Sequence, residues 1–155
     1  LIEPENYELR ANLMWSSTMA LNGLIGCGVP QDWATHMIGH ELTAAYGLDH
    51  GQSLAIIAPQ LWRHQQQYKT EKLLQFAHKV WGLENNHPDV AIKQGIIKTE
   101  EFFHSLGVKT KFSDYEIDVD VQAITENVFK YNPNNLGENK NIDAKAVAEI
   151  LTMAQ

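Results

Sequence analysis

WATHMIGHELTAAYGLDHG, residues 33–51, carries three of the chain's seven histidines. The run predicts a helix from Trp33 to about Tyr46. Asp32 is its expected N-cap, and Gly47 its stop, since glycine takes the left-handed turn after a helix at no steric cost. His36 and His40 stand one turn apart and share a face. His50 follows further on, directly before Gly51. In an unbroken helix His36 and His50 would be about 21 Å apart, at roughly 1.5 Å per residue. A break at Gly47 lets the chain turn back so that they can meet. Gly51 then lets the backbone pass close to whatever His50 touches.

The rest of the chain also reads as helix. Pro4 and Asn6 introduce a segment from about Tyr7 to Leu24, with Leu9, Leu13, Met14, Leu21 and Leu24 at helical spacing and Gly26, Gly28 and Pro30 as its stop. Gly51 to Gln67 predicts a third helix, bent at Pro59. Its start, Leu54 to Ala58, is apolar all round and should be deeply buried. Thr70 to Val80 is amphipathic and ends at Gly82. Pro88 opens a long helix that closes at Gly107. Val108 to Ile117 reads as loop, Asp118 to Tyr131 as helix, and residues 132–137 as a polar turn. Asp143 caps a last helix carrying Val147, Ile150 and Leu151, with Ile142 as hydrophobic staple. No stretch alternates as a strand. The expected fold class is all-α: one domain of about seven helices, with no internal boundary.

Composition narrows the function. The chain has 155 residues, enough for one domain with a core, and a formal net charge of −7. Its Lys and Arg residues do not cluster, which argues against nucleic acid as a partner. No apolar run approaches the roughly 20 residues that span a bilayer, and no signal peptide is visible. Cys27 is the only cysteine. That fits a reducing compartment, and a cytoplasmic location is expected. The chain begins Leu-Ile-Glu-Pro, without methionine, and is expected to be processed or part of something longer.

The histidines carry the chemistry. Two neutral imidazoles one turn apart can converge on a cation such as Zn, Fe, Ni or Cu, although such pairs also arise on helices by chance. His40-Glu41 starts like H-E-x-x-H, but position 44 is alanine, and H-x-x-E-H fails because Gly39 precedes His40. Zinc-protease chemistry is therefore disfavoured. Either His36, His40 and His50 together hold a metal, or two bind it while the third handles a proton. Glu41 leaves on another helix face, and Asp49 could support His50 from behind. His64, His78, His87 and His104 are scattered and read as solvated. Trp15, Trp33, Trp62 and Trp81 read as core or domain-contact residues, and Asp114 to Asp120 as a solvated acidic face. There is no dinucleotide fingerprint, no P-loop and no nucleophile elbow.

Several segments resemble one family closely. They are Asn22-Gly23-Leu24-Ile25-Gly26, Val29 to His36, Gly39 to Ala44, and Gly47-Leu48-Asp49-His50. Phe102-Phe103, Leu106-Gly107-Val108, Ser113-Asp114-Tyr115 and Leu136 to Asn139 agree. All are similar to the iron-containing (metal-dependent, group III) alcohol dehydrogenases, nearest to the NADPH-dependent aldehyde reductase and butanol dehydrogenase branch. The resemblance implies two domains: an N-terminal nucleotide-binding domain that this chain lacks, and a C-terminal all-helical domain to which the whole chain corresponds. It implies that His36 and His50 are two of four metal ligands, the others being an Asp and a His from an earlier helix. It implies that His40 is catalytic, handling a proton rather than binding metal. It implies Fe2+ or Zn2+, NADP or NAD, and an aldehyde or alcohol substrate. With half the ligands and no nucleotide loop, the isolated chain is expected to be inactive. An apolar face including Met14, Trp15 and Ile25 is expected to meet the missing domain, and a homodimer is expected. The alternative is a non-catalytic helical binding module that kept the fold.

Overall fold

The computed structural model describes residues 2–84 and 87–155. The chain divides into two compact units, Leu1–Gln31 and Asp32–Gln155.

In the first unit, α1 spans Tyr7–Leu21. Asn6 caps it, its Oδ1 accepting from Leu9 N at 3.3 Å. The helix stops before the expected Leu24. Gly23 takes a left-handed φ of 83°, and Asn22 Oδ1 accepts from Leu24 N at 3.0 Å, which starts a 3-10 turn over Leu24–Gly26. None of the residues of α1 is buried.

The second unit holds α2 (Ala34–Tyr46), α3 (His50–His64), α4 (Gln66–Trp81), α5 (Pro88–Ser105), a 3-10 turn (Ser113–Tyr115), α6 (Val121–Tyr131) and α7 (Ala144–Met153). Among the described residues there is no strand, only an isolated bridge between Leu136 and Ile142. The all-α expectation holds. Helix α3 is the hub, packing on α2, α4, α5 and α7, while α6 lies on α2 and α7. The main core joins Ile38 and Leu42 of α2, Ile56, Ile57 and Leu61 of α3, Phe112, Ile124, Ile142 and Val147. A smaller cluster, Leu73, Ile92 and Ile96, lies between α4 and α5, and Trp62 packs against both.

Further boundaries in this unit differ from the sequence reading. The third helix runs through Pro59 and ends at His64, and the fourth starts at Gln66 instead of Thr70. The single residue between them, Gln65, is buried, and its side chain binds both His64 Nδ1 (3.0 Å) and Asn141 Nδ2 (2.8 Å). The bond from Asn141 ties the break to a segment 76 residues away, which no local residue pattern announces. The sixth helix starts at Val121 because Asp120 caps it, accepting from Ala123 N at 2.9 Å. The start of α3 is also not buried all round. Ala55, Ile56 and Ile57 are, but Leu54 and Ala58 are only half-buried.

The packing of α2 on α3 places the histidines. A Cβ at Gly39 would lie 3.1 Å from both Leu54 Cδ2 and Ser53 Oγ, so only glycine allows this approach without displacement. Ser53 is buried between the helices. It accepts from Thr43 Oγ1 at 3.2 Å and donates to the His50 carbonyl at 2.9 Å. Gly47, with a φ of 68°, reverses the chain between the two helices.

Candidate metal centre

His36 lies in the first turn of α2, and His50 opens α3. Their ring centroids are 5.3 Å apart, tilted at 51°. His40 is 6.1 Å from His36 and 5.5 Å from His50, and it stacks on His50 at an interplanar angle of 30°. The reversal expected at Gly47 therefore brings all three rings together.

The distances discriminate among the pairs. Two imidazoles on one tetrahedral ion, with metal–nitrogen bonds of about 2.0–2.1 Å, have centroids roughly 5 Å apart. The tilted His36–His50 pair matches that spacing. His40 and His50 are nearly as close, but stacked rings send their in-plane lone pairs side by side rather than toward one point. The His36–His40 separation is wider. Among the described residues, no group of three or more His, Cys, Asp or Glu side chains is placed to hold a metal ion. Of the three pairs, His36 and His50 come nearest to the spacing and tilt that two imidazoles on one ion would need.

Electrostatics favour the ligating form of His36. Its pKa lies below the usual histidine value, first because it is partly buried, then because a charge on His50 or His40 would repel its own, with Asp32 opposing. A neutral ring is the form that binds metal. Trp33 meets the His36 ring edge-on at 5.0 Å and shields one side of it.

An ion cluster that the sequence did not announce anchors α2. Asp32 Oδ1 accepts from Ala34 N at 2.7 Å, and its other oxygen pairs with Lys69 Nζ at 2.8 Å. Lys69 also meets Glu138 at 2.5 Å. The lysine side chain is 10% exposed, so its charge is held by two carboxylates largely out of water. Asp32 was expected as a cap; its partners are distant in sequence and joined only by folding.

Other expectations meet corrections. Gly51 is exposed, and a Cβ there would meet nothing within 4 Å, so no neighbour within the chain requires glycine at this position. Asp49 serves as the N-cap of α3, with its own N donating to Gln52 Oε1 at 2.9 Å. His64 is not merely solvated: its Nε2 pairs with Glu149 Oε2 at 2.8 Å. His104 bonds Thr110 Oγ1 at 2.9 Å.

The model of the C-terminal part of the Fe-containing alcohol dehydrogenase family matches residues 1–155. The chain belongs to this family. It is 52% identical over 143 residues to the NADPH-dependent aldehyde reductase YqhD of Escherichia coli K12, covering 92% of this chain and 37% of that protein. It is 34% identical over 149 residues to the NADH-dependent butanol dehydrogenase A of Clostridium acetobutylicum, covering 94% and 38%. A crystal structure of E. coli K-12 YqhD superposes with a TM-score of 0.97 at 49% identity, over all of this chain and 40% of that one. NADH-dependent butanol dehydrogenase A of Thermotoga maritima gives a TM-score of 0.89 at 32% identity, over 97% and 40%. The chain thus spans well under half the length of these relatives.

Proposed function

We propose that this chain is the metal-holding C-terminal domain of an NAD(P)-dependent alcohol dehydrogenase that reduces aldehydes to primary alcohols and runs the reverse oxidation. The observation that carries the reading is the His36–His50 pair, tilted at a separation of 5.3 Å, in a chain matched along its whole length by this family. His36 and His50 would hold a divalent metal, Fe(II) or Zn(II), together with an Asp and a His from an earlier helix of the longer protein. When bound, the metal supplies Lewis acidity toward a carbonyl oxygen.

The chain's own residues position and protect that site. Burial, with His50 and His40 nearby, lowers the His36 pKa, which favours the neutral form that can ligate. Trp33 limits water on one side of that ring. Asp32, pinned by Lys69, fixes the first turn of α2 and with it the position of His36. His40 is exposed and stacked on His50, so it can hold a proton and pass it to a substrate oxygen without leaving the site. The nicotinamide nucleotide, NADP or NAD, belongs to an N-terminal domain outside this chain, and the 155 residues alone do not turn over. The working enzyme is a cytoplasmic homodimer.

The test uses the polypeptide extended upstream to the length of its relatives. His36→Ala and His50→Ala remove bound metal and the aldehyde-dependent oxidation of NADPH. His40→Ala depresses turnover and leaves metal content intact. Full metal content in either of the first two variants overturns the ligand assignment, and unchanged turnover in the third removes His40 from the mechanism. An extended wild-type protein with neither metal nor activity points to the helical binding module instead.

A further inference from the structure

Asp32, His36, Lys69 and Glu138 line one groove-like cavity of about 750 Å³, to which Leu54 and Ala58 of α3 also contribute. Glu138 comes to it from the connection between α6 and α7. That connection is tied down on both sides of Glu138. Leu136 N donates to the Ile142 carbonyl at 2.9 Å, and Ile142 N donates to the Leu136 carbonyl at 3.3 Å. The Ile142 side chain is fully buried. Asn141 Nδ2 donates to Gln65 Oε1 at 2.8 Å, which fastens the same connection to the start of α4. Between these ties the backbone turns sharply. Gly137 has a φ of 81°, and Lys140 has a φ of 50°, a left-handed conformation that a residue with a side chain adopts only at a cost. The turn so anchored presents Glu138, and both of its carboxylate oxygens accept from Lys69 Nζ, each at 2.5 Å.

We propose that Glu138 is a positioning residue for the metal centre: it holds Lys69, Lys69 holds Asp32, and Asp32 fixes the turn of α2 that carries His36. The inference rests on the proposed function in one respect, namely that His36 is a metal ligand. A lysine carries its charge on a flexible four-carbon stem. One carboxylate partner leaves that stem free to swing, whereas two carboxylates from separate segments fix where it ends. Glu138 thereby turns an ion pair at the start of α2 into a brace between α2, α4 and the α6–α7 connection. The brace is stiff because the lysine side chain is only 10% exposed, so water and salt screen it less than a surface pair. Asp32 passes the restraint on through its bond from Ala34 N at 2.7 Å, and His36 follows in the same turn. Charge separates bracing from plain attraction of a cation. Two carboxylates and one ammonium leave one negative charge in excess. Lys69→Met increases that excess and Glu138→Gln removes it, so attraction alone would move metal affinity in opposite directions. Loss of the brace weakens it in both.

The experiment uses the polypeptide extended upstream to the length of its relatives. It reads Zn(II) affinity by competition with a chelator, and the visible absorption spectrum of the Co(II)-loaded protein. Glu138→Gln and Lys69→Met are each expected to weaken Zn(II) binding roughly tenfold, the lower end of what residues behind a metal ligand contribute. Both are expected to shift the Co(II) bands, which report ligand geometry. Val147→Ala, fully buried and outside the lining of the cavity, is the control for lost stability. It should lower the unfolding midpoint and leave affinity and spectrum unchanged. Wild-type affinity in Glu138→Gln overturns the proposal. So does tighter binding in Lys69→Met, which means that the cluster acts by charge alone. An equal loss of affinity in Val147→Ala overturns it too, since any loss of stability would then suffice. His36→Ala is measured alongside. Unweakened binding in that variant defeats the ligand assignment, and this inference with it. Binding that His36→Ala abolishes while Glu138→Gln and Lys69→Met leave it at wild-type strength defeats this inference alone.

Discussion

The two units use apolar residues in opposite ways. In residues 32–155, Ile38, Leu42, Ile56, Ile57 and Leu61 are fully buried in one continuous core. In residues 1–31, Leu13, Met14, Trp15 and Ile25 stand largely in the open, Met14 at 73% and Trp15 at 65% exposure. Both units have capped, well-formed helices. The difference teaches that local signals suffice to shape α1, while its own unit gives its apolar side chains nothing to pack against. A 15-residue helix without burial is marginal in water.

The contrast can be broken by mutation. The largest effect is expected from Ile56→Ala, which empties space at the centre of the core and should cost about 3 kcal/mol in urea unfolding. Leu13→Ala should cost less than about 0.5 kcal/mol. Comparable losses at both positions would mean that α1 has a packing partner that its burial does not reveal.

A middling effect sharpens the same contrast within the second unit, where polar contacts also carry weight. Lys69→Met leaves Asp32 and Glu138 without their shared cation and should cost about 2 kcal/mol. It should also loosen the first turn of α2, seen as faster amide exchange at Met37, whose N donates to the Trp33 carbonyl at 3.0 Å. An unchanged unfolding midpoint would show that the cluster is only a surface ion pair. Gly39→Ala should cost about 1 kcal/mol, because Leu54 and Ser53 must give way. No loss at all would mean that α2 and α3 do not pack as closely as described.

The smallest effect concerns pH. The hydrogen bond from His64 holds the Glu149 carboxyl below the usual carboxylate range. A folded-state pKa below the unfolded value contributes stability that is present above the unfolded value and lost as pH falls through the lowered one. Glu149→Gln should therefore flatten the acid limb of the stability profile and leave its shape near neutral pH unchanged. An unaltered acid limb would show that the His64–Glu149 contact contributes nothing in solution.

The sequence made the fold legible wherever the signal was local. Gly47, Asp143 and Asn6 marked helix ends through backbone chemistry that needs no distant partner. The Gly47 break also predicted that His36 and His50 meet, and their side chains do. What stayed illegible depends on contacts far apart along the chain. The helix break at Gln65 is tied to Asn141, and Lys69 is held by residues on either side of it in sequence. Gly39 looked like an ordinary helix glycine until α3 lay against it. The apolar run at Leu54 to Ala58 could not reveal that one of its faces opens on a groove.

The measurement that tests the half-site most directly is calorimetric titration of the 155-residue chain, freed of metal with a chelator, with Zn(II) at pH 7. Binding of micromolar strength or weaker, abolished by His36→Ala or His50→Ala, is the predicted result: two ligands in place and two to come. Nanomolar binding at one site per chain would contradict it, because a complete ligand set would then lie within these residues.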